Sequence, residues 1–237
     1  MVQEGNLGLG QDIINSAILK ISIPQPLTEA FRTANSVVGG EFYLIGSSVR
    51  KCILKESEFP DDVDFIGAFN LDHIQDYFGD RVVRRWDQFR TIKVLHNNRE
   101  IDFIGDTNIK AALQRRDITL SLMCMDRDGV VYDPLNYIDD LNNRLIRIEN
   151  AEQKIQTEPE RILRVLRFAA VLGYEVEPLT RQACITCADL MNSGNTEYAL
   201  NKFINMNSEA RERALAIAEE FGILHFVNNL IPGQNQG

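Results

Sequence analysis

Two aspartates one residue apart are the side chains in this sequence best placed to do chemistry. Asp62 and Asp64 begin the segment Asp62-Val-Asp64-Phe, and the apolar residues around and after them predict a β-strand. Residues i and i+2 of a strand point to the same face, so the two carboxylates project side by side. Hard divalent cations such as Mg²⁺ prefer carboxylate and phosphate oxygens. The pair therefore predicts a cation site, unless residues 59–62 are only a solvated turn that leads into the strand.

A third acid could complete this site. Asp102 lies between Ile101 and Phe103 in a predicted strand, and a core strand avoids an acid unless the acid has a cation or another partner. Glu100, two residues earlier on the same face, is the alternative third ligand. Three carboxylates can hold two Mg²⁺ ions about 4 Å apart, one activating an attacking hydroxyl and one neutralising a leaving pyrophosphate.

A glycine turn precedes the aspartate pair in the sequence. Gly46 allows close approach of the backbone, Ser47 and Ser48 offer hydroxyl and N–H donors, and Arg50 offers a bidentate fork for phosphate. A lone glycine-serine turn is a weak signal, and its weight comes from the aspartates that follow it. The combination predicts nucleotidyl transfer.

Two further groups of charged residues have both a functional and a structural interpretation. Arg115 and Arg116, followed by Asp117, could reach sugar and phosphate, or could form a surface ion pair. At a predicted helix start, Glu158, Arg161 and Arg164 share one side and could hydrogen-bond a base edge. The alternative for the helix is an i,i+3 salt bridge on an exposed face.

A cluster of basic residues also contains aromatic side chains. It consists of Arg81, Arg84, Arg85, Arg90 and Lys93, interleaved with Trp86 and Phe89. One interpretation is a solvated strand edge with extended arginines. The other is a phosphate-contacting rim around the substrate, with an aromatic ring available for stacking. The sequence leaves both open.

Composition limits the classes of function. The 237-residue chain has a net charge of −9, which argues against broad charge-driven binding to nucleic acid but allows a local basic cleft. No apolar run approaches membrane-spanning length, and the N-terminus lacks a signal-peptide pattern. Four cysteines without such a signal indicate a reducing compartment. We therefore expect a cytoplasmic protein without membrane contact.

The pattern of elements changes near residue 150. Before it, helices are predicted at 27–38, 47–54 and 71–78, strands at 41–45, 63–69, 89–95 and 100–104, and a hairpin at 121–133. After it, helices are predicted at 159–172, 179–191, 197–204 and 209–220. We expect a lead-in at 1–26, a mixed domain at 27–150, a helical domain at 151–232 and a polar tail at 233–237.

The order of these motifs resembles the class II CCA-adding tRNA nucleotidyltransferases and bacterial poly(A) polymerases of the DNA polymerase β superfamily. The matching segments are Tyr43-Leu-Ile-Gly-Ser-Ser-Val-Arg50, Asp62-Val-Asp-Phe65, Arg115-Arg-Asp-Ile-Thr119, Asp133-Pro134 with Asp140-Leu141, and Arg161-Ile-Leu-Arg-Val-Leu-Arg-Phe-Ala-Ala170-Val-Leu-Gly173. Five motifs in the same order, spread over residues 27–232, make the match specific.

The resemblance implies an α+β fold, in which a polymerase β-type head with a mixed sheet of about five strands is followed by an all-helical neck. It implies a two-metal Mg²⁺ site on Asp62, Asp64 and Asp102, and addition of NMP from CTP or ATP to an RNA 3′ hydroxyl, of tRNA type. The implied nucleotide-binding residues are Gly46, Ser47, Arg50, Arg115, Arg116, Asp117, Glu158, Arg161 and Arg164.

Some positions depart from the family pattern. Ser47 replaces a usual glycine, Lys51 replaces a usual acid, and Glu158 replaces an aspartate. The body and tail domains of the family have no counterpart in the sequence. Two alternatives are therefore kept: a transferase that modifies another RNA or a protein, with a partner subunit supplying the RNA-binding surface, and a non-catalytic nucleotide-binding or RNA-binding homologue.

Overall fold

The structure, a computed structural model, describes residues 16–56, 62–192 and 197–231. The chain divides into two compact units, the first made of Met1–Arg116 and Leu120–Ile138, the second of Asp117–Thr119 and Asp139–Gly237. The domain boundary near residue 150 stays a prediction. Residues 1–15 of the expected lead-in, the turn at 59–61 and the tail at 233–237 lie outside the described residues.

A mixed sheet forms the centre of the first unit. Its strands are β1 (Ala17–Lys20), β2 (Val38–Ile45), β3 (Asp62–Phe69), β4 (Val82–Trp86), β5 (Thr91–His96), β6 (Arg99–Ile104), β7 (Cys124–Met125) and β8 (Val130–Tyr132). Their order in the sheet is β1-β8-β7-β2-β3-β6-β5-β4. Strands β3 and β6 pair in parallel, whereas the other pairs of this sheet within the described residues are antiparallel. The parallel pair is the one that carries the acidic residues.

The turn between β5 and β6 follows the sequence expectation. Asn97 and Asn98 both have left-handed backbone angles, with φ of 52° and 59°. Asparagine tolerates this region, and two successive positive φ values are what a tight hairpin turn requires. The turn fixes the register in which Lys93 lies opposite Asp102.

Aromatic rings and helices pack on one face of this sheet, and the helix Ile109–Gln114 packs on the other face, against Tyr43, Ile45 and Ile66. The helices of the unit are α1 (Gln25–Val37), α2 (Ser47–Ile53), α3 (Leu71–Phe78) and α4 (Ile109–Gln114). Phe65 and Phe103 are fully buried on neighbouring strands, and Phe31 of α1 meets Phe65 edge-on with ring centroids 5.1 Å apart. Phe78 of α3 stacks on Phe103 at 6.0 Å. Since successive strand residues alternate between faces, this core leaves Asp64 and Asp102 on the opposite face.

The predicted fold class is confirmed, but the expected number of about five strands is too low, because the sheet has eight strands within the described residues. The two edges of the sheet are β1, which the sequence analysis did not predict, and β4, which lies in the basic cluster for which a solvated strand edge was one of two interpretations. An edge strand pairs on one side only and needs no alternating apolar pattern, and the sequence of β4, Val-Val-Arg-Arg-Trp, has none.

Helices dominate the second unit. Its elements include α5 (Ile138–Asn142, which begins at the last residue of the first unit), α6 (Ala151–Thr157), α7 (Arg161–Leu172), α8 (Pro178–Thr186), α9 (Glu197–Ile204), α10 (Ser208–Glu220) and α11 (Leu224–Leu230). The expectation of an all-helical segment is wrong in one detail: the two-residue strands β9 (Leu145–Ile146) and β10 (Glu175–Val176) pair in parallel. In the part of the chain that the structure describes, no helix has the length and apolarity needed to cross a membrane.

Gly67 in β3 should be intolerant of any side chain. A Cβ there would lie 2.4 Å from the carbonyl oxygen of Glu41 and 2.6 Å from Cα of Phe42 on the paired strand β2. We expect Gly67→Ala to lower the free energy of unfolding by about 1–3 kcal/mol in a denaturant titration, because the two strands must separate to relieve the clash. Gly39→Ala is the matched control, since its Cβ would meet its nearest neighbour at 3.8 Å. Equal losses in the two variants would contradict the prediction.

Candidate active site

Two acidic residues of the first unit lie side by side on paired strands. In the parallel register of β3 and β6, Asp64 pairs with Asp102, and Asp62 pairs with Glu100. Directly paired residues have their side chains on the same face of the sheet. The side chains of Asp64 and Asp102 are 28% and 22% exposed, whereas Asp62 is exposed at the start of the strand. The sheet thus gathers four carboxylates on one face.

Cationic side chains neutralise part of this charge. The Arg116 guanidinium donates to Asp64 Oδ2 over 3.3 Å. Lys93 Nζ lies 2.5 Å from Glu100 Oε2 and 3.7 Å from Asp102 Oδ1. Glu100 is thus held by Lys93 at short range, whereas Asp102 Oδ1 is buried without a hydrogen-bond partner among the described residues. Of the two candidate third ligands, Asp102 is the one with a free oxygen.

The environment of Asp102 disfavours its charged form. Burial is the main cause that raises the pKa of Asp102 to about 7, and the neighbouring Asp64 carboxylate raises it further. The Lys93 ammonium acts in the opposite direction and does not offset the two. A carboxyl in this state gains from any additional positive charge placed beside it.

The carboxylates are aligned along strands and do not surround a point. Within the described ranges, no three Asp, Glu, His or Cys side chains converge closely enough to hold a metal ion. Two of the acids are instead turned to Arg116 and Lys93. The predicted role of Asp62, Asp64 and Asp102 as metal ligands therefore stays a prediction.

The glycine turn lies directly against Asp64. Gly46 follows β2 and starts α2 with φ of 77°, a left-handed value that favours glycine. A Cβ at Gly46 would lie 3.2 Å from Asp64 Oδ2 and 3.6 Å from Nη1 of Arg116. Glycine is thus favoured here by its backbone conformation, and a Cβ would also press on the Asp64 carboxylate. The turn, one carboxylate and one arginine meet at a single place.

The other predicted phosphate-binding residues of this unit differ in their accessibility. Ser47 is partly exposed beside the turn, whereas Arg50 is 4% exposed inside the unit and has little surface to offer a ligand. Arg115 is ion-paired with Asp106 over 2.5 Å, whereas Arg116 is turned toward Asp64. The structure thus brings Gly46 and Arg116 to Asp64, leaves Ser47 next to the turn, and directs Arg115 to a different partner.

In the second unit, Asp117 forms a buried ion pair. Arg164 of α7 donates two hydrogen bonds to its carboxylate, and the bond from Nη2 to Oδ1 is 3.0 Å long. The backbone N–H of Ile118 adds a third bond at 2.8 Å. Burial alone would raise the pKa of Asp117, but the Arg164 guanidinium outweighs it and holds that pKa below its usual range. Asp117 is therefore charged and fixes the position of Arg164.

Glu158 and Arg161 form a second ion pair in this unit. Glu158 ends α6, Arg161 begins α7, and the pair is 2.9 Å long. The Glu158 side chain is 51% exposed, whereas that of Arg161 is 9% exposed. The i,i+3 salt bridge that the sequence offered as the structural interpretation is present. It leaves the carboxylate accessible, so a role in reading a base edge stays a prediction.

Curated proteins align with most of this chain at low sequence identity. A CC-adding tRNA nucleotidyltransferase of Shouchella clausii is 27% identical over 201 residues, which cover 83% of this chain and 52% of the relative. A CCA-adding enzyme of Streptococcus gordonii is 27% identical over 203 residues, 77% of this chain and 50% of the relative. No protein-family model matches the chain.

Solved structures share the fold. The Bacillus stearothermophilus CCA-adding enzyme in complex with CTP superposes with a TM-score of 0.75 at 22% identity, over 90% of this chain and 57% of that one. The Thermotoga maritima CCA-adding enzyme in complex with tRNA gives a TM-score of 0.71 at 19% identity, over 88% of this chain and 54% of that one. The chain is thus similar in sequence and in fold to CCA-adding nucleotidyltransferases. It spans about half the length of the curated relatives that it matches.

Two lysines, which lie near the predicted site residues Asp102 and Glu158, are absent from the set of site residues that the sequence predicts. Lys93 had been noted only as part of the basic cluster, yet it is the cation nearest Asp102 in the described residues. Lys154 lies within electrostatic reach of Glu158 and Asp117, and burial, followed by the Arg161 charge, lowers its pKa. The spacing of Lys154, one helical turn before Glu158, is a signal that could have indicated it.

The raised pKa of Asp102 predicts that the protein loses stability as the pH rises. Between pH 4 and pH 7 the folded protein keeps a proton on Asp102 that the unfolded chain has lost, so this group lowers the free energy of unfolding as the pH rises. As the pH rises from 5 to 8, we expect the free energy of unfolding of Asp102→Asn to increase relative to that of the wild type by on the order of 2 kcal/mol. Urea titrations in the presence of a chelator measure it. An unchanged difference between the two proteins would contradict the prediction.

Removal of the Asp117 carboxylate should destabilise the second unit. Asp117→Ala leaves Arg164 and the Ile118 N–H without their partner, and we expect a loss of about 3 kcal/mol in thermal or urea unfolding. Arg115→Ala is the control, because it removes an ion pair whose arginine is 64% exposed and should change stability by less than about 1 kcal/mol. Similar losses in both variants would show that Asp117 is not a structural anchor.

Proposed function

We propose that the chain is a nucleotidyltransferase that moves NMP from CTP or ATP to an RNA 3′ hydroxyl, with the 3′ end of tRNA as the acceptor. The hydroxyl oxygen bonds to the α-phosphorus, the bond from that phosphorus to the bridging oxygen breaks, and pyrophosphate leaves. Such a reaction needs no side-chain nucleophile, so positioning and charge compensation are what the protein must supply.

One observation carries this proposal. The Gly46 turn, the Asp64 carboxylate and the Arg116 guanidinium meet within 3.2–3.6 Å of a single point, the place where a Gly46 Cβ would be. Asp102 lies on the paired strand beside Asp64. Backbone N–H groups and a guanidinium suit phosphate oxygens, and the carboxylates suit a cation that accompanies the phosphates. Both components of a nucleoside triphosphate complex therefore find matching groups in one place.

Carboxylate oxygens are donors that a divalent cation prefers, so the acidic residues suit one in their chemistry, although three of them do not converge on a point within the described residues. Asp102 has a buried oxygen without a hydrogen-bond donor among the described residues, and burial, followed by the neighbouring carboxylates, raises its pKa. Asp62, Asp64 and Asp102 would hold Mg²⁺, as a two-metal site, by turning from Lys93 and Arg116. When bound, the ions would polarise the attacking hydroxyl and offset charge on the leaving pyrophosphate. Arg116, released from Asp64, would be available to the triphosphate.

Residues of the second unit would read the incoming base. The exposed Glu158 carboxylate accepts hydrogen bonds and the neighbouring Arg161 donates them, which is the combination a cytosine or adenine edge requires. Asp117 would act by fixing Arg164. Ser47, Arg50 and Arg115 complete the proposed nucleotide-binding set. The relatives solved with CTP, ATP and tRNA support this choice of substrates.

The acceptor has an alternative. The acceptor could be another RNA or a protein, and a partner subunit could supply the surface that grips it. A cytoplasmic location belongs to the same proposal, as the place where tRNA is available.

The test is incorporation of labelled nucleotide by the purified chain with Mg²⁺ and tRNA that lacks its 3′ end. We expect label from CTP and ATP in the tRNA, and a loss of at least about a hundredfold in Asp64→Asn. Asp80→Asn, which removes an exposed acid away from the sheet face, is the matched control.

Each outcome separates the alternatives. Label in other RNA, or from a single nucleotide, would favour a different acceptor. Full activity in Asp64→Asn would overturn the assignment of the site. No incorporation with any nucleotide, in the presence of total RNA as well as tRNA, would reject transfer by this chain alone.

A further inference from the structure

We propose that the edge of the sheet formed by Arg84 and Trp86 holds the single-stranded RNA directly upstream of the acceptor 3′ hydroxyl. In this arrangement the Arg84 guanidinium contacts a backbone phosphate and the Trp86 ring stacks on a base. The inference rests on the proposed transferase function and adds to it the path of the acceptor strand.

The strand register places this edge on the same face as the carboxylates. Asp64 pairs with Asp102, Asp102 with Lys93, and Lys93 with Arg84, so one row of side chains crosses β3, β6, β5 and β4. Paired residues share a face. At about 4.8 Å between strands, Arg84 stands roughly 10 Å from Asp102 along this row. That length corresponds to about three stacked nucleotides at ~3.4 Å each.

Trp86 belongs to the neighbouring row on that face. It pairs with Thr91, which pairs with Ile104, and Ile104 pairs with Ile66. The Arg84 guanidinium lies over the Trp86 ring, 4.9 Å from its centroid. A cation and a partly exposed aromatic ring are thus presented together. Aromatic stacking combined with a positive charge is how proteins bind single-stranded nucleic acid without reading its sequence.

The Arg84 guanidinium is available to an anionic ligand, whereas that of the adjacent Arg85 is held in ion pairs. Arg85 points to the opposite face and is ion-paired with Asp72 at 2.8 Å and Asp87 at 2.7 Å. Within the described ranges, no carboxylate lies within ion-pairing distance of Arg84, which is exposed. In a chain of net charge −9, an uncompensated arginine beside an aromatic ring is a local anion site. The two interpretations of the basic cluster thus apply to different faces of one strand.

The order of the sheet separates the acceptor from the leaving group. Gly46 directly follows β2, which lies next to β3 on one side. Strands β6, β5 and β4 lie on the other side of β3, in that order. In an in-line displacement the attacking and leaving oxygens approach phosphorus from opposite directions. With the triphosphate at Gly46 and Arg116, the attacking strand must come from the β4 side, where Arg84 and Trp86 lie.

A protein strand is a poorer occupant of this edge than RNA. Strand β4 is exposed on its outer side, but adjacent arginines hinder pairing with another strand. The incoming nucleotide is the second competitor, because its phosphates could also contact Arg84. The experiment must therefore distinguish acceptor RNA from nucleotide.

Trp86 is the one tryptophan of the chain, so its fluorescence reports directly on this site. We expect a short single-stranded RNA with a free 3′ hydroxyl to quench the emission of the full chain in a saturable titration. Arg84→Ala should weaken RNA binding by about tenfold, whereas Arg85→Ala, the matched control on the opposite face, should leave it unchanged. In transfer assays, Trp86→Ala should raise KM for the RNA at constant KM for the nucleotide, and Trp86→Phe should restore most of the loss.

Three results would overturn the inference. The first is that a labelled RNA binds, as measured by its anisotropy, without any change in Trp86 emission. The second is that Arg84→Ala and Arg85→Ala weaken RNA binding equally, and the third is that nucleotide alone quenches Trp86 emission as much as RNA does. Quenching by RNA in a chain that transfers no nucleotide would instead reject the proposed function and keep the RNA site. The two failures are therefore distinguishable.

Discussion

The repulsion between carboxylates on adjacent strands is the constraint around which the first unit is organised. Asp64 and Asp102 are fixed side by side by backbone pairing, so neither can retreat without disturbing the sheet. The protein places Arg116 beside one acid and Lys93 beside the other, yet burial, together with the remaining repulsion, still raises the pKa of Asp102. Cationic ligands have a ready advantage in such a site, because they remove an energy that the fold has already accepted.

The sheet order gives this acidic centre two different flanks. On the β2 side lies the glycine turn at Gly46, whose backbone is close to Asp64 and Arg116 and suits compact phosphate groups. On the β4 side lies an open edge with an arginine and a tryptophan, which suits an extended strand of nucleic acid. The opposite face of the same sheet is filled by phenylalanine rings and two helices. Alternation along each strand thus places the phenylalanine rings on one face of the sheet and the acidic residues on the other.

The sequence predicted those parts in which local chemistry decides the structure. The helix α3 was expected at 71–78 and is found at Leu71–Phe78, because Asn70 caps its first turn and Gly79 follows its end. The turn at Asn97-Asn98 and the common face of Asp62 and Asp64 also depend on local rules. Edge strand β1 was not predicted, and edge strand β4 was only one of two interpretations of the basic cluster, since pairing on one side leaves no apolar alternation to detect.

The partners of the charged residues could not be predicted in the same way. Arg115 and Arg116 are adjacent and chemically identical, yet one pairs with Asp106 and the other with Asp64. Likewise, Lys93 reaches Asp102 only through the register of the hairpin, and Arg50 is buried for reasons of packing. Such choices depend on contacts between distant parts of the chain, which a single sequence does not display.

The parallel pairing of β3 and β6 also has a consequence for how the protein is made. Antiparallel neighbours can zip together from a turn, but a parallel pair forms only after the intervening chain has crossed back over the sheet. Contacts of this kind are slow to form, because loop closure costs entropy before the contact rewards it. A nascent chain that has not yet left the ribosome as far as Ile104 has Asp62 and Asp64 without Asp102. The acidic centre is thus complete only once β6 has paired with β3, and a fragment that stops short of β6 lacks both Glu100 and Asp102.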